Sequence, residues 1–251
     1  MSEFAVVVPI FNEARGLQPT LDALAAQADR DFLLLLVDNA STDGSAEVAR
    51  AFARVAPFPV ELLHEAQKGT GAASDTGFRA AIARGARFIA RTDADCLPHP
   101  EWVRRLRGAM RAGGLEFVAG RIRPREDEGP VSRFDRVALA FTIWLAENYG
   151  RTDPARRGPQ FKIAYFLAAG NNLAITADLY ERAGGFPRTS IEEAHEDLEL
   201  SERVRTLTTR AGVRDDVIVY NSARRVRAWG YINTLRWYRN HGYRPANADV
   251  R

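Results

Sequence analysis

The chain has 251 residues, of which 46% are hydrophobic and 27% are charged. This composition excludes a disordered chain or a collagen, and the single cysteine, Cys96, excludes a scaffold held by intrachain disulfides. The net charge of +3 is unevenly distributed, with −4 in residues 1–100 and +7 in residues 101–251. Nearly all of the positive charge is arginine, which suits phosphate binding, although a bias towards arginine codons produces the same composition.

The sequence predicts a cytoplasmic protein. No apolar run approaches the about 18 residues that a membrane-spanning helix needs. The first four residues lack the basic start of a secretion signal, and the apolar run at 6–10 is too short for the central region of one.

Residues 4–92 alternate between short apolar runs and segments in which apolar residues recur at helical spacing. The apolar runs predict buried strands at 4–10, 32–37, 60–64 and 87–92. The intervening segments predict helices at 17–28, 45–55 and 71–83. This alternation indicates an α/β fold in which a parallel sheet is flanked by helices.

The second half of the chain is less regular. Its pattern predicts strands at 117–123 and 217–220 and helices at 101–111, 131–149, 174–182, 197–208 and 232–240. Polar stretches with proline or glycine predict loops at 124–130 and 150–160, the second of them mobile.

Polar residues follow each of the four strands predicted in the first half. In an open parallel sheet, ligands bind beyond the carboxyl ends of the strands. The residues at those ends are Asn12 and Glu13, Asp38 and Asn39, Lys68, and Asp93 and Asp95. A single residue of this kind is usually an ordinary polar loop residue, but four clusters at successive strand ends predict one binding crevice.

The triplet Asp93-Ala94-Asp95 is a candidate metal site. Residues two apart on an extended segment project to the same side, so both carboxylates can hold a hard divalent cation such as Mn²⁺ or Mg²⁺. The alternative is a plain turn, because such triplets are common by chance.

Two familiar phosphate-binding motifs are absent from the sequence. Neither G-x-G-x-x-G nor G-x-x-x-x-G-K-[ST] occurs, and PIFNE stands at 9–13 after the first predicted strand. Lys68-Gly69 instead places a cation and flexible backbone before a predicted helix, which is either an anion site or a simple turn.

An ordered set of motifs resembles the family 2 glycosyltransferases of the GT-A fold. The motifs are VPIFNE at 8–13, VDNASTDG at 37–44, KG at 68–69, DAD at 93–95, AGNNLAI at 169–175, GGF at 184–186 and ED at 196–197. Each motif alone is weak, but the ordered set covers about residues 4–210 and is specific. The resemblance implies a Rossmann-like GT-A fold, with a mixed, mainly parallel sheet flanked by helices. It also implies inverting transfer of a sugar from a nucleotide diphosphate to an acceptor hydroxyl.

The resemblance implies donor-binding roles for residues near the first two strands. Pro9, Phe11 and Glu13 would line the nucleoside pocket. Asp38 would bind the base or the ribose, and its neighbour Asn39 is a further candidate for donor binding.

The resemblance also implies roles in catalysis. Lys68 would lie near the base and phosphates, Asp93 would face the ribose or the metal-bound water, and Asp95 would ligate Mn²⁺ or Mg²⁺. Asp197 would be the catalytic base. These roles agree with the chemistry, because the departing diphosphate needs a cation and the acceptor hydroxyl must lose its proton. The alternative role for Asp197 is to cap a helix, since acidic residues are favoured in the first turn.

The acceptor is expected to be a carbohydrate or a lipid-linked molecule of cell-envelope polysaccharide synthesis. Candidate contacts are Asn171, Asn172, His195 and Glu196. For His195, an ordinary loop position is an equal alternative. Acceptor specificity is expected in residues 161–175 and 186–195.

The sequence departs from the family in two places. Ser74 and Asp75 stand where many members have Arg-Asn, which alters the expected contacts to the donor phosphates. Processive members have Gln-x-x-Arg-Trp, whereas this chain has Asn233 in place of the glutamine. We therefore expect transfer of a single sugar rather than polymer synthesis.

Residues 222–251 contain seven arginines, several aromatic residues and a single acid, Asp249. This composition suits peripheral contact with the inner membrane face or a lipid-linked acceptor, or equally the packing of aromatic rings under arginine side chains. Arg224 and Arg225 are candidates to clamp the donor diphosphate, and His241 is either a further metal ligand or a surface histidine.

We expect a GT-A domain over 1–220, nucleotide-binding over about 1–100 and acceptor-binding over about 101–220, followed by a C-terminal extension over 221–251. Two other functions remain open. A nucleotidyltransferase has a similar layout but usually has a glycine-rich loop that is absent here, and a non-catalytic module could bind a sugar nucleotide. Nucleic acid is not an expected partner, because the first half is acidic and has no nucleic-acid-binding motif.

Overall fold

A computed structural model describes residues 2–129, 137, 141, 144–145, 147–148, 150–188, 195–222, 224, 227–230 and 233. Within these residues an eight-stranded sheet has the order β3-β2-β1-β4-β7-β6-β8-β5. Its strands are β1 Phe4–Ile10, β2 Leu33–Asp38, β3 Val60–His64, β4 Phe88–Arg91, β5 Cys96–Pro98, β6 Phe117–Pro124, β7 Leu173–Thr176 and β8 Ala211–Asn221. The helices whose two ends both lie in the described residues are α1 Leu17–Ala25, α2 Ser45–Ala53, α3 Thr70–Ala83, α4 Trp102–Arg111, α5 Ala177–Arg182 and α6 Glu196–Leu207.

The first half of the chain forms the alternating strands and helices that its apolar pattern predicts. Strands β1 to β4 are mutually parallel, with β1 between β2 and β4 and with β3 at the outer edge. Residues of β1 and β2 are buried along their whole length, because helices cover both faces of the sheet. The carboxyl ends of these four strands therefore lie at one edge of the sheet.

The second half adds antiparallel pairing. Strand β7 pairs antiparallel with β4 and with β6, while β6 and β8 are parallel to each other. The mixed, mainly parallel sheet of the predicted fold class is thereby confirmed. Because β7 runs against β4, the loop that precedes β7 lies at the same edge as the carboxyl ends of β1 to β4.

The prediction of a helix starting at residue 174 is wrong. Residues Leu173–Thr176 are a strand, and the helix begins only at Ala177. Thr176 marks the boundary, because its side chain accepts a hydrogen bond from the amide of Leu179 and so caps the helix. The short strand Cys96–Pro98 was also not predicted.

Two hydrophobic clusters lie on the two faces of the sheet. One packs alternate β1 residues such as Phe4 and Val6 against α1, α2 and α4, with Trp102 fully buried in it. The other packs Ala5 and Val7 against α3, α5 and α6. The alternation of side chains along β1 thus supplies both faces of the core.

Parts of the less regular half lie outside the described residues. The described residues between 137 and 152 are helical, as predicted for 131–149, and a 3₁₀ turn at Pro154–Arg156 follows in the predicted loop. Of the predicted helix at 232–240, only Asn233 is described, and it is helical. Among the residues that the structure describes, no helix has both the length and the apolar character needed to cross a membrane.

Candidate active site

The loop after β1 places Glu13 at the carboxyl edge of the sheet. Its amide donates to the hydroxyl of Ser45 at 2.8 Å, and its carboxylate oxygens receive Nη2 of Arg224 at 3.1 and 3.0 Å. Phe11 is half-buried nearby, with Nζ of Lys68 5.2 Å from its ring centroid. Pro9, in contrast, is buried within β1 opposite Val37.

Asp38 ends β2 and is buried. One of its carboxylate oxygens accepts the amide of Ser41 at 3.3 Å, and the other lies 3.6 Å from Nδ1 of His64. A pocket of about 400 Å³ opens beside Asp38 and is bounded by residues of α2 and β3. Of the residues predicted to bind the nucleoside, only Asp38 lines this pocket.

Asn39 organises the loop between β3 and α3. Its side-chain amide donates to the carbonyls of Glu65 and Gln67 at 2.9 and 2.7 Å, and its Oδ1 accepts the amide of Gly69 at 2.8 Å. These three bonds hold the segment that contains Lys68 against the end of β2. The side chain of Asn39 is therefore engaged with the protein backbone, and its support of the Lys68 loop is indirect.

The carboxylates of Asp93 and Asp95 follow β4 at the same edge. Oδ1 of Asp93 accepts hydrogen bonds from Arg91, and Oδ2 of Asp95 lies 3.3 Å from Nη2 of Arg224. Burial and the negative charge of Asp93 raise the pKa of Asp95, while Arg224 opposes this rise. Negative charge is thus concentrated at the end of β4.

Arg224 lies between two of the predicted donor-site carboxylates. One nitrogen, Nη2, donates both to Glu13 and to Asp95. Nε donates to the hydroxyl of Ser222 at 3.0 Å and lies 4.0 Å from a carboxylate oxygen of Glu128. The guanidinium therefore neutralises part of this acidic cluster. Arg225 and His241, the other two predicted basic contacts, lie outside the described residues.

Asp197 lies in the first turn of α6, close to the loop before β7. Its Oδ2 accepts the amide of Gly170 and its Oδ1 accepts the amide of Leu198, both at 2.8 Å. Burial raises the pKa of Asp197, while the amide of Gly170 and the charge of Arg91 oppose the rise. A carboxyl group with a raised pKa at such an edge suits a proton acceptor.

Glu196 and His195 stand immediately before Asp197. Glu196 is buried, and its Oε1 receives Nη1 of Arg91 at 3.0 Å. Burial raises the pKa of Glu196, and the charge of Arg91 opposes the rise. His195 is half-buried at the N-cap of α6, where its carbonyl accepts the amide of Glu199 at 3.1 Å. The carboxylate of Glu196, one of these two predicted acceptor contacts, is thus paired with Arg91 in this structure.

The two asparagines of the loop before β7 differ in role. Asn172 has no exposed surface: its Oδ1 accepts the indole N–H of Trp102 at 2.8 Å, and its amide donates to the carbonyls of Arg121 and Val217. The predicted acceptor contact of Asn172 is therefore corrected to a role in the core, because every polar group of its side chain is used there. Asn171 is 8% exposed, and its buried Oδ1 has no hydrogen-bond partner among the described residues.

The substitution of Arg-Asn by Ser74-Asp75 creates a buried acidic anchor. Asp75 accepts the hydroxyl of Tyr180 at 2.9 Å, Nε of Arg79 at 2.8 Å and Nη1 of Arg188 at 3.3 Å. Arg188 also contacts Glu65 at 2.8 Å. Asp75 thus ties α3 to α5 and to the segment after the GGF motif.

A divalent cation at this edge of the sheet needs several oxygen ligands. Among the described residues, no group of three or more histidine, cysteine, aspartate or glutamate side chains is placed to hold a metal ion. Asp93 and Asp95 nevertheless supply the hard oxygen donors that Mg²⁺ and Mn²⁺ prefer, and such ions usually complete their coordination with substrate phosphates and water. The donor set fits a cation that is held jointly with a diphosphate.

Sequence reasoning missed Arg91. It is 2% exposed although it lies in an apolar strand, and it contacts both Asp93 and Glu196. An arginine within a buried strand must have a charged partner, and that rule is the signal that could have identified it.

A larger cavity of about 580 Å³ lies at the opposite edge of the sheet, beside Arg87 and Arg111, and contains no predicted site residue.

A family model and curated relatives identify the family. The model described as "Glycosyl transferase family 2" matches residues 5–177. The glycosyltransferase AglE of Haloferax volcanii is 28% identical over 188 residues, which are 73% of this chain and 55% of the relative. The undecaprenyl-phosphate mannosyltransferase of Micrococcus luteus is 36% identical over 118 residues, 46% of this chain and 47% of the relative. The chain belongs to glycosyltransferase family 2, and it spans about half the length of these relatives.

Solved structures show the same fold. The S. aureus TarS 1–349 structure in complex with UDP-GlcNAc has a TM-score of 0.65 at 16% identity, over 88% of this chain and 58% of that one. The mannosyltransferase PcManGT from Pyrobaculum calidifontis in complex with GDP-Man and Mn²⁺ has a TM-score of 0.64 at 24% identity, over 93% and 62%. The fold is that of the GT-A-like glycosyltransferases.

Proposed function

We propose that this chain is an inverting glycosyltransferase that transfers one sugar from a nucleotide-diphosphate sugar to an acceptor hydroxyl. The observation that carries the proposal is the position of Asp197. Its carboxylate is held by the amide of Gly170 at the edge of the sheet where Asp93 and Asp95 end β4. A single displacement needs a base for the acceptor hydroxyl and, close to it, carboxylates that can hold a cation against the departing diphosphate.

The donor side uses the ends of the parallel strands. Phe11, Glu13 and Asp38 would bind the nucleoside, with Pro9 buried beneath them in β1. Lys68, which Asn39 holds in place through the adjacent loop, would approach the phosphates near the start of α3. A helix N-terminus and a lysine both favour a phosphate group. The complexes of TarS with UDP-GlcNAc and of PcManGT with GDP-Man support a nucleotide sugar as the donor.

The transfer is a balanced single displacement. The acceptor oxygen forms a bond to the anomeric carbon while the bond from that carbon to the diphosphate oxygen breaks, so the configuration inverts. The electron pair of the broken bond goes to the diphosphate, and the acceptor proton goes to the carboxylate of Asp197. Positioned bases of this kind typically accelerate a reaction about 10²–10⁴-fold.

A divalent cation, Mn²⁺ or Mg²⁺, would be held by Asp95 with Asp93, and it would offset the charge that develops on the diphosphate. Arg224, which contacts Asp95 in this structure, would donate to the same diphosphate. His241 stays a candidate ligand outside the described residues. The presence of Mn²⁺ with GDP-Man in PcManGT supports this part of the proposal.

The acceptor is proposed to be a carbohydrate or lipid-linked hydroxyl, with contacts from Asn171 and His195. The names of relatives, among them an undecaprenyl-phosphate mannosyltransferase, support a lipid-linked acceptor. A cytoplasmic location with peripheral membrane contact belongs to the same proposal.

One surface feature supports the membrane contact. Val137, Phe141, Trp144 and Leu145 are 68, 56, 55 and 39% exposed, and their spacing puts them on one helical face. The rings of Phe141 and Trp144 stack at 5.8 Å between centroids. Such a face suits burial in the headgroup region of a bilayer. Co-flotation with anionic vesicles should be lost in the double variant Phe141→Ser with Trp144→Ser, and no flotation of the wild-type chain would contradict this contact.

The proposed chemistry is tested by donor turnover. The chain is incubated with UDP-GlcNAc, GDP-Man and other nucleotide sugars, with and without Mn²⁺, and early products are followed by proton NMR. Release of free sugar of inverted anomeric configuration, with water as acceptor, is the expected result. Donor binding without any turnover in the presence of an acceptor panel would favour the non-catalytic binding module instead. Family membership already argues against the nucleotidyltransferase alternative.

A further inference from the structure

We propose that Arg91 is a positioning residue that locks the base-bearing start of α6 to the end of β4. Its Nε and Nη2 donate to Oδ1 of Asp93 at 3.2 and 3.1 Å, and its Nη1 donates to Oε1 of Glu196 at 3.0 Å. One guanidinium therefore spans two chain segments that are more than a hundred residues apart. The inference rests on the proposed function, in which Asp93 serves the donor and Asp197, next to Glu196, is the base.

The guanidinium is held in one place by its surroundings. It lies 5.4 Å from the centroid of the Phe186 ring, in cation–π contact, and only 2% of the residue is exposed. A Cβ at Gly170 would stand 2.9 Å from both Cζ and Nη1 of Arg91. The loop before β7 and the segment of the GGF motif therefore both close around this side chain.

The charges explain why the position carries an arginine. Burial alone would lower the pKa of Arg91, but the carboxylates of Asp93, Glu196 and Asp197 raise it, so the group stays ionised. Without this cation, several partly or wholly buried carboxylates would face each other. A guanidinium can serve Asp93 and Glu196 together through separate nitrogens, whereas the single ammonium of lysine is a point charge.

This geometry defines what Arg91 does. Its guanidinium is enclosed by protein groups, so it acts through the carboxylates and not on a ligand directly. Glu196 is the first residue of α6, and Asp197 follows it. The ion pair with Glu196 thereby sets where the Asp197 carboxylate stands relative to the end of β4, and so relative to the donor.

The test uses conservative variants, because complete removal of a buried charge can prevent folding. Arg91→Lys keeps the positive charge but loses the separate guanidinium nitrogens that donate to Asp93 and Glu196. Glu196→Gln keeps the shape of the side chain but removes the negative charge that pairs with Arg91. The matched control is Arg205→Lys. Arg205 is also buried, stacks on Phe161 at 4.1 Å and pairs with Glu202, but it lies near the other end of α6.

Three measurements are made on each variant: thermal unfolding, kcat and KM for donor turnover, and hydrogen exchange of the Gly170 and Leu198 amides. Both amides donate to Asp197, so their exchange reports the position of its carboxylate without any substrate. We expect Arg91→Lys and Glu196→Gln to lower kcat at least about tenfold with KM for the donor nearly unchanged, and to speed both exchanges about tenfold. Arg205→Lys should lower the melting temperature while leaving kcat and both exchange rates within about threefold.

An effect of Arg91→Lys on melting temperature alone, with the kcat and exchange rates of the control, would overturn the inference. The exchange measurement also separates the two proposals. If the wild-type chain turns over no donor but Arg91→Lys still releases the Gly170 and Leu198 amides, the proposed function fails and the positional linkage stands. If the wild-type chain turns over the donor and Arg91→Lys changes neither kcat nor the exchange of the two amides, the positioning role of Arg91 fails and the proposed function stands.

Discussion

The amide of Gly170 donates to Oδ2 of Asp197 over 2.8 Å, joining the loop before β7 to the first turn of α6. The Asp197 carboxylate therefore lies at the edge of the sheet where strands β1 to β4 end. The bond also makes the carboxylate a hydrogen-bond acceptor from the loop that carries Asn171. The loop before β7 and the proposed base are thus one hydrogen-bonded unit.

The first prediction concerns the base. Asp197→Asn should lower kcat by about 10²–10⁴-fold while the dissociation constant of the donor changes little, because the amide keeps the shape but cannot take the proton. Rates with saturating donor, together with donor titrations by thermal shift, measure the two quantities. The matched control, Asp178→Asn, removes an exposed carboxylate that pairs with Arg182 and should leave both unchanged. Turnover of Asp197→Asn near the wild-type rate would contradict the assignment.

The second prediction is a pH dependence. A general base works only when ionised, and burial raises the pKa of Asp197 above its ordinary value of 3.8. We therefore expect kcat/KM to fall on acidification with a midpoint above 3.8, and this acidic limb should be missing from the residual rate of Asp197→Asn.

The raised pKa of Asp197 affects folding stability in the opposite direction to its effect on the rate: acidification lowers the rate but favours the folded state. A carboxyl group with a raised pKa in the folded state takes up its proton more readily than the unfolded chain does, so its stabilising contribution is present at low pH and is lost as pH rises through the folded pKa. Loss of rate on mild acidification should therefore not coincide with unfolding caused by Asp197. Parallel rate and circular-dichroism profiles in pH would show whether the two transitions separate.

The third prediction concerns Gly170. Gly170→Ala should destabilise the chain by about 1–3 kcal/mol and lower kcat, because the added methyl meets the Arg91 guanidinium at 2.9 Å. Urea unfolding measures the first effect. Gly108→Ala is the control: Gly108 lies in α4, its added Cβ meets nothing within 4 Å, and the change should stabilise the helix by about 0.5–1 kcal/mol. Equal effects at both positions would mean that the packing on Arg91 has no special weight.

The fourth prediction concerns Arg224. If its guanidinium clamps the donor diphosphate, Arg224→Met should weaken donor binding by about 10- to 100-fold, the range expected for hydrogen bonds to a charged group. Isothermal titration with nucleoside diphosphate in the presence of Mn²⁺ measures this change. Arg104→Met, which removes an exposed arginine paired with Glu101, should bind as the wild type does. Unchanged binding by Arg224→Met would restrict Arg224 to balancing the charges of Glu13 and Asp95.

The first half of the fold could be predicted because its signals are local. The run Phe4–Ile10 is apolar, short and bounded, and Val60–His64 is a short run with three apolar residues; the structure has strands at both predicted positions. Strand β7 could not be found in this way. Leu173–Thr176 is only four residues long and runs directly into a helix, so its pattern merges with that of the helix. Its identity as a strand comes from pairing with β4 and β6, which are distant in sequence.

The residues of the candidate site also differ in whether local sequence signals could predict their roles. Strand ends predicted one crevice for Asp93 and Asp95, and the family resemblance assigned Asp197 to the same site as the base. The sequence could not distinguish Asn171 from Asn172, since two adjacent asparagines differ here only in burial and in partners that the tertiary fold supplies. The ion pair between Arg91 and Glu196 could not be predicted for the same reason, because the two residues are 105 positions apart in the chain.

Strand β7 has a consequence for how chains of this type can differ in length. In the β4–β7 ladder Arg91 stands opposite Leu173, only three residues after Gly170. Inserting or deleting one residue between 169 and 173 would slip this register and exchange the β7 residues that pack into the two hydrophobic clusters, Ala174 on one face of the sheet and Leu173 and Ile175 on the other. Residues 153–162, in contrast, are mainly exposed and lie outside the sheet. Homologues should therefore keep a constant count from Gly170 to β7, while insertions that adapt the chain to other acceptors accumulate in 153–162.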